Sequence, residues 1–346
     1  MYTIYDYLKY YGDITIDEIK WNVQDNLICS LLSYLPFESF NKKYNLKAFY
    51  NYIENNKEKS LQSKSSQKSF DLLKKLLNVP RYNDLIIVNS EYILNNETQF
   101  GATTFNIAKN TIVSYRGSDD SMISWIENLK VAYTYPTITQ NYAIKYLNKV
   151  KGTNIYVNGH SKGGNLAIVS AMECKSNIFN KIKRIDNFDG PGLRKEEYSA
   201  KKYKRIISKL NNYLPSDSFV GSLLYNSNYT YIKSNGIGIK VHYPYSWLLF
   251  GEEFIKEKAS TFSSKIHDIT TNGISRINQN DLQKTFDTII NYVIDNKKAK
   301  INFKEIYNII LNTKDIDKTT KDYLIKILTI LGNELIKPKK KSNSLT

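Results

Sequence analysis

The pentapeptide Gly159-His160-Ser161-Lys162-Gly163 constrains this chain more than any other stretch, because of what flanks it. Before it stands the apolar, β-prone run Ile155-Tyr156-Val157, and after it Leu166-Ala167-Ile168-Val169 at helical spacing. A strand that turns into a helix through so short a corner needs residues without side chains at 159 and 163. The corner lifts the central serine clear of the backbone, at the start of a helix whose N–H groups favour negative charge. A G-x-S-x-G arises by chance in roughly a few per cent of chains of this kind. The strand and helix around it carry the weight.

The surrounding pattern predicts a sheet covered by helices. Residues 100–107 and 111–115 read as two paired strands about a turn at Lys109-Asn110. A helix over 140–150, a strand over 154–158, the glycine-rich corner, a helix over 164–173 and a strand over 182–188 follow, with one more strand at 229–232. Such alternation predicts an α/β fold, a mainly parallel sheet with helices on both faces. Residues 2–40 read as a helical segment that packs on this body through Leu27, Ile28, Leu31, Leu32 and Leu35. The polar stretch 55–69 is expected to be a mobile loop. Beyond residue 281 the pattern is helical throughout, with Phe286, Ile289, Ile290 and Val293, then Ile306, Ile309, Ile310, Leu324, Ile327 and Leu328. The expected organisation is a main domain over 1–270 and a C-terminal helical extension over 271–346 that ends in a basic tail.

Composition narrows the function classes. With 41% hydrophobic and 24% charged residues and no membrane-length apolar run, the 346-residue chain reads as a soluble globular protein. Its first residues lack a secretory signal, and Cys29 and Cys174 form no C-x-x-C pair, so a reducing cytoplasm is expected and neither a disulfide nor a metal nor any other cofactor. The net charge of +16 comes with abundant Lys, Asn, Ile and Tyr throughout. It reads as a bias of the whole chain; peripheral contact with an anionic membrane surface fits it, and specific nucleic-acid binding is not expected. The one compact basic cluster is Lys337-Pro338-Lys339-Lys340-Lys341.

A serine hydroxyl becomes a nucleophile when an imidazole takes its proton and a carboxylate orients that imidazole. Only three histidines are available. His160, adjacent to the serine, projects away from it and is expected to pack or hydrogen-bond beside the turn. His242, shortly after the last expected strand, is the preferred base over His267, which lies in a polar helical stretch and reads as exposed. For the acid, Asp189 in Asp189-Gly190-Pro191-Gly192 and Asp217 in Leu214-Pro215-Ser216-Asp217-Ser218 both suit the order serine, acid, histidine. The first is also a good turn sequence.

Ile112-Val113-Ser114-Tyr115-Arg116-Gly117-Ser118, Trp125-Ile126-Glu127-Asn128-Leu129 and the run 159–164 together resemble the class 3, fungal-type lipases. The resemblance is closer to a bacterial branch of that superfamily, the Mbeg-like domain. It is carried by Tyr5-Asp6-Tyr7-Leu8 through Gly12-Asp13, the stretch at Asp25, Phe188 to Gly192, Asp217 with Val220-Gly221, and His242 ahead of Trp247. It spans about residues 1–247 and implies an α/β-hydrolase fold and a serine esterase or lipase acting on an ester or lipid small molecule. The triad it implies is Ser161, Asp217 and His242, with Ser118 and the backbone N–H of Lys162 as oxyanion donors. The same fold also serves inactive binding scaffolds and acyltransferases that keep the triad. Two departures stand out. Asn128 replaces the acidic residue expected to pair with Arg116, a role open to Glu127, and Lys162 replaces a leucine, which points towards a polar or anionic substrate rather than a triglyceride.

Overall fold

Eight strands lie side by side in strict sequence order: β1 (Tyr44–Asn45), β2 (Ile86–Leu94), β3 (Gln99–Ile107), β4 (Asn110–Tyr115), β5 (Asn154–His160), β6 (Ile182–Phe188), β7 (Leu210–Pro215) and β8 (Tyr229–Ile232). The computed structural model describes residues 2–39, 43–95, 97–118, 127–128, 130–273, 277–295, 303–314 and 316–336. The first four strands pair antiparallel and β4 through β8 pair parallel. This is the α/β-hydrolase type of sheet with a C-terminal helical segment.

Sequential order has a consequence for how the sheet is covered. Parallel crossovers that all step in one direction, each right-handed, put their helices on one face. The helices Ile138–Lys149, Lys162–Glu173 and Lys201–Ile206 bury Leu147, Leu166, Val169 and Ile206 there against Val113, Val157 and Ile185. The other face needs a cover from elsewhere in the chain, and the N-terminal segment supplies it. All ten residues of helix Val23–Leu32 are buried, and Leu27, Ile28, Leu31 and Phe37 pack in one cluster with Phe105, Ile112 and Phe188. The segment thus closes the second face of the sheet into a core. Polar contacts fix its seat: Asn26 Nδ2 donates to the buried Asp186 at 2.6 Å, and Arg81 pairs with Asp25 at 2.7 Å with both side chains fully buried.

Several expectations shift. Residues 55–69 carry the helix Lys57–Ser60 and the start of helix Lys64–Leu76 instead of a mobile loop. Ser63 caps the latter by accepting from Ser66 N at 3.0 Å, and Ser69 Oγ donates to Leu31 O at 2.6 Å in the core. Strands β2 and β7 were not anticipated. Asn211 and Asn212 hide β7, yet Asn212 is buried in an amide network with Asn187 and Asn226. Both cysteines are buried and free. His267 is half-buried, its ring edge-on to Tyr229 at 5.9 Å, and not an open surface residue. The C-terminal helices Gln279–Asp295, Phe303–Asn312 and Lys318–Ile336 form a cluster of their own, joined to the body where Phe286 stacks on Tyr133 at 5.8 Å. The basic run 337–341 and residues 125, 126 and 129 lie outside the described residues. Among the described residues no helix is long and apolar enough to cross a membrane.

Candidate active site at the carboxyl edge of the sheet

β5 ends at His160 and the next helix begins at Lys162, which leaves Ser161 alone at the corner with φ 59° and ψ −131°. A non-glycine residue held there costs about 1–3 kcal/mol and persists only where its surroundings enforce it. They do so through close backbone approach. A Cβ on Gly159 would stand 2.2 Å from the Gly163 carbonyl carbon, and one on Gly163 2.1 Å from Tyr115 O. The glycines thus permit contact between strand, helix and β4, while the serine itself carries the strain. Ser161 N donates to Phe188 O at 2.9 Å, which ties the corner to the end of β6.

The turn after β6 brings in a carboxylate. Asp189 has φ 53°, so two of the five non-glycine residues with positive φ among the described residues are Ser161 and Asp189, each the first residue beyond the end of one of two neighbouring strands. The Asp189 carboxylate is fully enclosed. His242 Nδ1 lies 2.7 Å from its Oδ2, while Gly221 N at 3.1 Å and the Ser218 hydroxyl donate to its Oδ1. This corrects the assignment of the orienting acid to Asp217: the carboxylate on His242 is that of Asp189. The physical reason is reach. β7 delivers residues 216–218 beside Asp189, and there Ser218, one residue on from Asp217, makes the contact. The Asp-Gly-Pro-Gly sequence that looked like a mere turn is a turn built to present its aspartate. Asn187 holds it, accepting from Gly190 N at 2.8 Å and donating to Gly190 O at 3.0 Å.

His242 comes from the loop after β8, and Trp247, fully buried, donates its indole N–H to Val241 O at 2.8 Å. That bond explains the spacing of histidine and tryptophan in the sequence. His160 lies on the other side, its ring 4.6 Å from that of His242. As expected it packs and hydrogen-bonds beside the turn, and burial, with His242 nearby, holds its imidazole well below the usual histidine range. Among the described residues Ser161 Oγ makes no hydrogen bond.

Tyr115 pairs with Gly159 across β4 and β5, so Ser118 and Lys162 each stand three residues beyond that pair on neighbouring segments at the carboxyl edge of the sheet. Ser118 Oγ accepts from Asn128 Nδ2 at 2.8 Å, so the residue that departs from the family pattern holds that hydroxyl. Lys162 heads its helix, where backbone N–H groups have no intrahelical acceptor. Its side chain does not charge the site. It is buried, with Nζ 2.6 Å from Gln99 O and Oε1 and 3.2 Å from Glu127. Glu127 therefore serves Lys162 and not Arg116, which instead donates to Ser33 O and Leu35 O at 2.7 and 2.6 Å and pairs with Glu38 at 3.2 Å. Lys162 therefore offers no free cation to an anionic substrate, contrary to the expectation from its sequence position.

The sheet, the strained serine corner and the loops converging on it define an α/β-hydrolase fold. The chain belongs to the Mbeg1-like family, whose model matches residues 76–291, more than half of the chain. The match begins at the last residue of the helix Lys64–Leu76 and runs beyond Trp247 into the helix Gln279–Asp295. No curated protein matches at a significant level. Among solved structures the crystal structure of M37 lipase is similar, at 16% identity over 57% of this chain and 67% of that one, with a TM-score of 0.36.

Proposed function

We propose that the protein is a serine esterase that cleaves a carboxylic ester through an acyl-enzyme on Ser161. The observation that carries this reading is the 2.7 Å bond from His242 Nδ1 to the enclosed Asp189 carboxylate, beside a serine in a strained corner. Asp189 accepts from His242 Nδ1 and so fixes the tautomer that leaves Nε2 as the base. Ser161 Oγ attacks the acyl carbon while its proton passes to His242 Nε2, and the carbonyl electron pair moves onto oxygen. Ser118 and the Lys162 N–H receive that oxyanion. Collapse breaks the bond to the alkoxy oxygen, which leaves as alcohol with the proton from Nε2. Water then repeats the sequence and releases the acid.

The rim supports an amphiphilic ester, presented at an anionic lipid surface. Ile237 and Ile239 are 62% and 67% exposed next to exposed Lys240, on the loop that leads into His242. Hydrolysis should rise along a series of esters of increasing chain length that includes lysophospholipids; a flat or falling series would overturn this substrate class.

Replacing Ser161 by Ala should lower turnover of a short-chain nitrophenyl ester by about 10⁴- to 10⁶-fold, and unchanged hydrolysis would refute the reading. Ser118→Ala, which removes one oxyanion donor, should cost about 10²- to 10³-fold; a loss under about threefold would remove Ser118 from the oxyanion site.

A further inference from the structure

We infer that His160 is a positioning residue that holds the backbone carbonyl of His242 through a fixed tautomer, and so sets where the proposed base stands. The inference rests on the esterase reading and adds a residue to it. His160 Nε2 lies 2.8 Å from His242 O. A carbonyl oxygen only accepts, so Nε2 carries the hydrogen. His160 Nδ1 lies 2.9 Å from the Tyr34 hydroxyl. A neutral ring with its hydrogen on Nε2 has a lone pair at Nδ1, so Tyr34 donates to it. Burial favours that neutral ring.

The placement is rigid at each joint. Tyr34 belongs to the N-terminal layer, and a Cβ on Gly117 would stand 2.0 Å from its hydroxyl, so the β4 exit closes over the pair. His160 is the last residue of β5, next to the nucleophile. Trp247 holds the carbonyl of Val241 and His160 that of His242, so two successive peptide units on the base loop are fixed, one from its own loop and one from the elbow. Ser161 and His242 are thereby referenced to each other through one imidazole. Displacement of a catalytic group by about 1 Å costs up to about 10²-fold in rate, and losing this N–H frees His242 to move on that scale.

The test uses the full chain, with active sites counted by titration with a fluorophosphonate. His160→Leu should lower kcat per titrated site by about 10- to 10²-fold while KM changes less than about twofold. His160→Gln, whose amide N–H reaches close to the position of Nε2, should restore kcat to within about threefold of the parent. Tyr34→Phe removes the donor to Nδ1 and should lower kcat by about threefold. A role in packing alone would reduce the number of titratable sites and leave kcat per site unchanged. If the Leu and Phe variants both keep the parental kcat per site, or Gln is no better than Leu, the inference is overturned. A parent protein that neither hydrolyses esters nor labels at Ser161 would instead overturn the esterase reading.

Discussion

The turn that follows β6 and the loop that follows β7 each offer an aspartate at the same edge of the sheet, and they use it differently. In the first, Asp189 sits at φ 53°, enclosed, with its backbone N–H on Tyr213 O and its carboxylate on His242. In the second, the backbone folds into a receptor for others: Ser216 O and Ser218 O accept from Ser263 Oγ at 2.7 and 2.8 Å, and the Ser218 hydroxyl turns to Asp189. One loop presents the acid; the other braces it, and is itself tied to the helix Thr261–Asp268. Strain therefore distinguishes the two better than sequence context does, because a non-glycine residue stays in the left-handed region only when several contacts hold it there.

Substitutions at the two loops should separate them by orders of magnitude. Asp189→Asn tolerates the same backbone conformation but no longer favours the required imidazole tautomer, so kcat/KM should fall by about 10⁴-fold with the fold intact by circular dichroism. Ser218→Ala removes one donor from the carboxylate and leaves Gly221 N in place, for an expected loss of about tenfold in the same assay. Asp217→Asn should stay within about threefold of the parent. An Asp217 effect equal to that of Asp189 would erase the distinction between presenting and bracing loops.

The order of helices and strands from β3 to β6 was legible because the strands there are buried in apolar runs and the helices between them keep an apolar face at helical spacing. β7 was not, since Asn211 and Asn212 interrupt that period, Asn212 for the sake of the buried amide network that positions the Asp189 turn. The serine, its glycines and His242 stood out from local signals, a corner between strand and helix and the scarcity of histidine. The acid did not, because a choice between Asp189 and Asp217 depends on which loop reaches His242, and that is set by strand register. Lys162 shows the same limit. Its charge was legible and its partner was not, because Glu127 lies 35 residues away in sequence and reaches it only in the folded chain.

The most direct test of the account is the rate at which a fluorophosphonate modifies the parent, Asp189→Asn and Asp217→Asn proteins, with the adduct located by mass spectrometry. An adduct on Ser161 should form at parental rate in Asp217→Asn and slower by about 10³-fold or more in Asp189→Asn. Slow labelling of Asp217→Asn with parental labelling of Asp189→Asn, or an adduct on another residue, would contradict it.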